Sequence, residues 1–63
     1  MRYLVKILKN GYGAEFESNS RNSLVHLKDY GGQVCKVYNK NGKQLSESRY
    51  SAEHGFYRCK YNK

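Results

Sequence analysis

The chain of 63 residues contains no proline and no tryptophan, and only five acidic side chains stand against twelve lysines and arginines. Because proline is absent and the glycines are isolated or paired, the composition does not indicate disorder. No run of apolar residues approaches the roughly 18 that a membrane-spanning helix needs. The N-terminal stretch, residues 1–8, also lacks the pattern of a secretory signal. We therefore predict a cytoplasmic protein.

Large apolar side chains are also scarce, with two phenylalanines and much of the bulk supplied by seven tyrosines. A chain this short buries only about 60% of the surface that it exposes when unfolded. We predict a single domain, residues 1–63, in which an enclosed active-site cavity is hard to build. Tyrosine can bury its ring while its hydroxyl stays solvated, which suits a sheet with one covered face. A second copy of the chain could complete the core, so a homodimer remains open.

The formal net charge of +7 favours an acidic partner, such as DNA, RNA or an acidic host protein surface, and we expect no membrane partner. The charge is uneven. Residues 32–63 hold seven basic and two acidic side chains, against five and three in residues 1–31. The alternative is that the charge only keeps the protein soluble.

Alternating apolar and polar residues predict five strands, and one segment with apolar spacing of three to four predicts a helix. Ser18 or Ser20 can cap this helix of about ten residues, and Gly31 can end it in a left-handed conformation. Asn10-Gly11 and Asn41-Gly42 both predict two-residue hairpins of the same kind. The predicted strands cover residues 2–8, 12–18, 33–38, 44–50 and 56–61.

This order, ββαβββ with short connections, predicts an α+β fold: an antiparallel sheet of about five strands with one helix on one face. Leu4 and Leu8 lie on the second face of strand 1, which indicates either a central strand or a second face that is covered in part. Strand 4 is polar, and its Glu47 and Arg49 are typical of an edge strand. The predicted core consists of Tyr3, Val5, Ile7, Ala14, Phe16, Leu24, Leu27, Cys35, Val37, Tyr57 and Cys59.

Two cysteines and two histidines, at positions 26, 35, 54 and 59, raise the question of a metal site. Structural zinc sites rely on close ligand pairs such as Cys-x2-4-Cys, and no such pair occurs, so we predict no metal. Cys35 and Cys59 could form a disulfide if adjacent strands bring them to the same face, but buried free thiols are favoured.

No pattern in the sequence indicates catalysis. Nothing near Cys35 or Cys59 activates a thiol, and the chain has no phosphate-binding or dinucleotide-binding glycine motif. Glu15 and Glu17 are outward neighbours on one strand, as on any solvated face. We therefore predict a protein that is not an enzyme and uses no cofactor.

The stretch GFYRCKY, residues 55–61, interleaves aromatic and basic side chains. It partly matches the aromatic strand of RNA-recognition motifs, but that fold needs two helices and a longer chain. Strand periodicity places Phe56, Arg58 and Lys60 on one face, and we assign Tyr57 and Cys59 to the core face. The uncovered face would then be a phosphate-binding and base-stacking surface, or simply the basic outer face of a basic protein. The predicted binding residues are Lys36, Tyr38, Lys40, Lys43, Arg49, Phe56, Arg58 and Lys60.

Residues 9–48, KNGYGAEFESNSRNSLVHLKDYGGQVCKVYNKNGKQLSES, place a hairpin with alternating glutamates before a serine-capped helix, a strand, an Asn-Gly turn and a polar strand. In element order this resembles small phage and mobile-element proteins of the anti-CRISPR type. The resemblance implies a non-enzymatic inhibitor that masks a site on a host nucleic-acid-handling protein complex.

That inhibitor is our leading hypothesis from the sequence. Direct nucleic-acid binding through the basic aromatic sheet face is the alternative. A third possibility is a structural or oligomeric role, in which Leu4 and Leu8 would be dimer contacts.

Overall fold

The computed structural model describes residues 2–59, and these form an antiparallel five-stranded sheet with one helix. This confirms the predicted α+β class and the order ββαβββ. Lys60 and Tyr61, which the sequence placed in the last strand, lie outside the described residues. The elements are β1 (Tyr3–Lys9), β2 (Tyr12–Ser18), α1 (Ser23–Tyr30), β3 (Val34–Tyr38), β4 (Gln44–Ser51) and β5 (Gly55–Cys59).

The strand order in the sheet is β2-β1-β3-β4-β5. β1 is an interior strand, paired with β2 and β3, which agrees with the first of the two alternatives that its two-sided apolar pattern predicted. The prediction that strand 4 is an edge was wrong, because β4 lies between β3 and β5. Its polarity has another cause: the hydroxyls of Ser23 in α1 and Ser48 in β4 are hydrogen-bonded at 2.7 Å and fully buried. Paired with each other, both hydroxyls keep a hydrogen-bond partner away from water.

The first hairpin turn is confirmed, since Asn10 and Gly11 have φ of 51° and 88°, which the mirror-image turn requires. The second turn differs from the prediction. Gly42 N–H donates to the Asn39 carbonyl, and the Asn39 side chain accepts from the backbone N–H of Asn41 and of Lys43. This three-residue turn places only Gly42 in the left-handed region, and the β3–β4 register shifts next to it.

Helix α1 has eight residues and begins after Asn22, not after Ser18 or Ser20. The Asn22 Oδ1 accepts hydrogen bonds from the N–H groups of Leu24 (3.1 Å) and Val25 (3.3 Å). The two serines instead stabilise the turns before the helix. Gly31 ends the helix with φ of 78°, as predicted. Among residues 2–59 no helix has the length and apolar character to cross a membrane.

The core lies between α1 and one face of the sheet, and its fully buried apolar side chains are fewer than predicted. Tyr3 packs against the core in part. Phe16 lies on the helix side but is 36% exposed, where it contacts the rings of His26 and Tyr30. Leu24 and Ala14 are half-buried. The buried apolar residues within the described chain are Val5, Ile7, Leu27, Cys35 and Val37.

The two faces of β5 are the reverse of those predicted from the sequence. Arg58 pairs with Ser48, and Phe56 pairs with Tyr50, so Phe56 and Arg58 lie on the helix side of the sheet. Tyr57 and Cys59 lie on the opposite face and do not belong to the core. Alternation predicts which residues share a face of the strand, but the pairing register with β4 decides which face meets the helix.

Candidate binding surfaces

The residues predicted to form one basic face are divided between the two sides of the sheet. Phe56 and Arg58 lie on the helix side, whereas Lys36, Tyr38 and Arg49 lie on the side that α1 does not cover. Lys40 and Lys43 are exposed in the β3–β4 turn, and Lys60 lies outside the described residues. The structure therefore offers two separate surfaces.

The first surface lies on the helix side of the sheet, on the β4–β5 hairpin next to α1. The rings of Tyr50 and Phe56 are in contact, with centroids 4.9 Å apart and planes tilted by 53°. Tyr50 remains 48% exposed and Phe56 38% exposed. The Lys28 ammonium lies 5.9 Å from the centre of the Phe56 ring, and Arg58 lies two residues further along the same face of β5. We call these four residues the aromatic–basic cluster: Lys28, Tyr50, Phe56 and Arg58.

Local structure explains why these side chains meet. The tight turn after Ser51 returns the chain at Gly55, which adopts φ of 77°, and places Phe56 directly opposite Tyr50. The Arg58 guanidinium donates a hydrogen bond to Asn22 Oδ1, the oxygen that caps α1. One end of the cluster is thus anchored to the helix start, which limits the conformational freedom of Arg58.

Sequence reasoning missed Lys28 and Tyr50. A signal for Tyr50 exists, because a short turn between Ser51 and Gly55 pairs residues 50 and 56 in any antiparallel hairpin. No comparable signal identifies Lys28, since its approach to Phe56 depends on how α1 crosses the sheet.

The second surface, which we call the open face, is the side of the sheet away from α1. Its charges largely neutralise one another: Lys6 Nζ lies 3.7 Å from Glu15 Oε2, and Arg49 Nη2 lies 2.5 Å from Glu47 Oε2. The Lys6 ammonium also lies 5.1 Å from the centre of the Tyr38 ring. The strand residues of the open face include Leu4, Lys6, Leu8, Gly13, Glu15, Glu17, Val34, Lys36, Tyr38, Gln44, Glu47, Arg49, Tyr57 and Cys59.

Glu47 is the unusual member of the open face because it is only 2% exposed. Lys36 and Cys59 lie opposite it on the neighbouring strands. Its Oε2 contacts Arg49 at ion-pair distance, but within residues 2–59 that oxygen accepts no hydrogen bond of normal geometry. Removing the Arg49 charge would leave a buried carboxylate uncompensated, which is strongly destabilising. Arg49 is thus a structural partner of Glu47 as well as a predicted binding residue.

Both cysteines are free thiols, and the structure places them on opposite faces of the sheet. Cys35 faces the helix, whereas Cys59 lies on the open face, with β4 between their strands. The disulfide alternative is therefore wrong. Burial raises the pKa of the Cys35 thiol from 9.0 to about 12.

The two thiols are expected to differ sharply in reactivity. With Ellman's reagent, native protein diluted to a concentration at which it is monomeric should release one equivalent from Cys59 and the second only after unfolding, because Cys35 is buried and protonated. The variant Cys59→Ser should give no release until it is unfolded. The raised pKa of Cys35 also makes the stability of the fold depend on pH. The buried neutral thiol stabilises the folded state fully below pH 9, and this stabilisation is lost as the pH rises towards 12. Rapid release of both equivalents from native protein would contradict this assignment.

The histidines contribute to packing and local contacts. His26 Nε2 is 2.9 Å from the Ser20 carbonyl oxygen, and His54 Nε2 is 3.8 Å from Glu53 Oε1 in the β4–β5 turn. In the part of the chain that the structure describes, no three His, Cys, Asp or Glu side chains are grouped as metal ligands would be.

Comparison of the chain with protein-family models, with curated proteins and with solved structures found no match. The resemblance to anti-CRISPR proteins therefore stays a prediction based on element order.

Proposed function

We propose that this protein is a non-enzymatic binding protein that engages single-stranded nucleic acid through the aromatic–basic cluster. The observation that carries the proposal is the pair of exposed, touching rings of Tyr50 and Phe56, with Lys28 beside them and Arg58 on the same face. Aromatic side chains combined with positive charge are how proteins bind single strands with little sequence preference.

Each part of the cluster has a role in this proposal. Tyr50, the more exposed ring, offers a face on which a base can stack, and Phe56 supports it from the side. Lys28 and Arg58 would contact phosphates, and the net charge of +7 would attract the polyanion from a distance. Bases in a duplex are already stacked on one another, so the rings favour a single strand.

The test is titration of a labelled single strand about six nucleotides long, followed by fluorescence anisotropy at several salt concentrations. If Lys28 and Arg58 each contact a phosphate, log affinity should fall against log salt with a slope of about −1.4, because each contact contributes roughly −0.7. Lys28→Gln should make the slope shallower by about 0.7.

The matched control is Lys43→Gln, which removes the same charge from an exposed position in the β3–β4 turn, outside the cluster. It should leave the slope unchanged. Absence of binding at low salt, or a slope that responds to Lys43→Gln but not to Lys28→Gln, would rule out the proposal.

The second candidate function is the inhibitor hypothesis, in which the protein masks an acidic site on a host nucleic-acid-handling complex. The same cluster favours it in part, because exposed Tyr and Arg are the residue types that dominate binding energy at protein interfaces. A pull-down from host lysate separates the two. Loss of all captured material after nuclease treatment supports direct nucleic-acid binding, and a protein retained after nuclease supports masking.

A further inference from the structure

The open face leaves apolar side chains uncovered on a chain whose core is thin. Leu8 is 45% exposed and Tyr57 38% exposed, while Leu4, Val34 and Tyr38 are half-buried. The opposite face carries the buried core and is covered by α1. We infer that the open face is a contact surface for a second copy of this chain, so that two sheets pack face to face. This inference is independent of the proposed function.

Charge is the first argument for a second copy. Two molecules with a net charge of +7 repel each other over most of their surfaces. The strands of the open face are the exception, because they carry three basic and three acidic side chains. The basic residues are Lys6, Lys36 and Arg49, and the acidic residues are Glu15, Glu17 and Glu47.

These charges can enter an interface largely as existing pairs. Lys6 and Arg49 already contact Glu15 and Glu47, and Arg2, at the margin of the face, lies 3.0 Å from Glu17. Among the described residues these three pairs leave Lys36 as the open-face charge without an ion pair in its own copy. Most of the charges would therefore be desolvated together with a partner, which limits the cost of burying them between two sheets.

Area is the second argument. The longest dimensions of the molecule are 33 Å and 23 Å. A face with these limits can bury up to about 700 Å² per copy, close to the roughly 800 Å² per partner of a standard interface. Because about 700 Å² is an upper limit for this face, a dimer of standard size would bury nearly all of it.

A face-to-face dimer would also add buried apolar surface, of which the single chain has little. A core with five fully buried apolar side chains in the described residues is small, and oligomerisation is one of the ways in which very short chains gain stability. A two-fold axis would bring the same patch of both copies together. The helices would then lie on the outside, and both aromatic–basic clusters would remain accessible.

Sedimentation equilibrium of the full chain tests the inference through two matched variants. Leu8→Arg adds a charge to the open face, and Val25→Arg adds one to the exposed side of α1. Leu8 and Val25 are both 45% exposed, so neither change removes a core side chain. We expect a wild-type dimer, a dissociation constant raised roughly a hundredfold or more by Leu8→Arg, and no comparable effect of Val25→Arg.

A wild type that stays monomeric at every concentration would overturn the inference, and so would equal effects of the two variants. If Leu8→Arg fails to fold by circular dichroism, Tyr57→Lys on the edge strand provides the same test. The affinity of folded Leu8→Arg for the short single strand should equal that of the wild type. Failure of the dimer and failure of nucleic-acid binding are therefore distinguishable.

Discussion

Replacement of Leu27 by alanine is expected to leave most of the protein unfolded in dilute buffer. Leu27 is the apolar side chain of α1 that is fully buried, and with Ile7, Cys35 and Val37 it forms the contact between helix and sheet. Truncating a buried leucine costs about 2–5 kcal/mol. A domain of this size has about 3–5 kcal/mol available from its core, so the loss is comparable with the whole stability.

Urea unfolding followed by circular dichroism measures this effect, and Val25→Ala on the same helix is the control. Val25 is largely exposed, so its replacement should change the free energy of unfolding by less than about 0.5 kcal/mol. If Leu27→Ala unfolds at nearly the same urea concentration as Val25→Ala, the described core does not hold the helix to the sheet.

Replacement of Phe56 by alanine is expected to weaken binding of a short single strand by about 5- to 150-fold, because loss of one base-stacking ring costs about 1–3 kcal/mol. Phe56 both contacts the Tyr50 ring and lies under Lys28, so its removal disrupts the centre of the cluster. The anisotropy titration described above measures the change.

Tyr57→Ala is the matched control for this prediction. Tyr57 is the next residue along β5 and is equally exposed, at 38%, but it lies on the open face. A strand of about six nucleotides occupies one cluster, so a change in dimerisation does not affect the measured affinity. The cluster predicts that Tyr57→Ala binds like the wild type. Equal losses in both variants would show that binding does not depend on the helix side of the sheet.

The confirmed parts of the fold are those that short-range patterns control. Asn10 and Gly11 impose their turn because both tolerate positive φ, and Gly31 ends the helix for the same reason. The second hairpin shows the limit of this reasoning. The Asn39 side chain accepts hydrogen bonds from two backbone N–H groups of the turn, and this local side-chain contact accompanies a three-residue turn in place of the predicted two-residue turn.

The candidate site could be predicted only in part. The sequence identified Phe56 and Arg58 as available to a partner and separated them correctly from Tyr57 and Cys59 by alternation. It then assigned the two sets to the wrong faces, because alternation alone does not determine which face of β5 meets the helix. The serine pair Ser23–Ser48 explains the error: a polar contact occupies the position where an apolar pattern would have indicated the covered side.

By itself the sequence determined the class of fold, the element order, the central place of β1, most of the buried core and the basic character of the protein. These follow from local periodicity, turn chemistry and composition. Only the tertiary structure decided that β4 is internal, that Phe56 joins Tyr50 and Lys28 beside the helix, and that the open face is nearly neutral. Such features depend on strand register and on the path of α1, which set contacts between residues far apart in the chain.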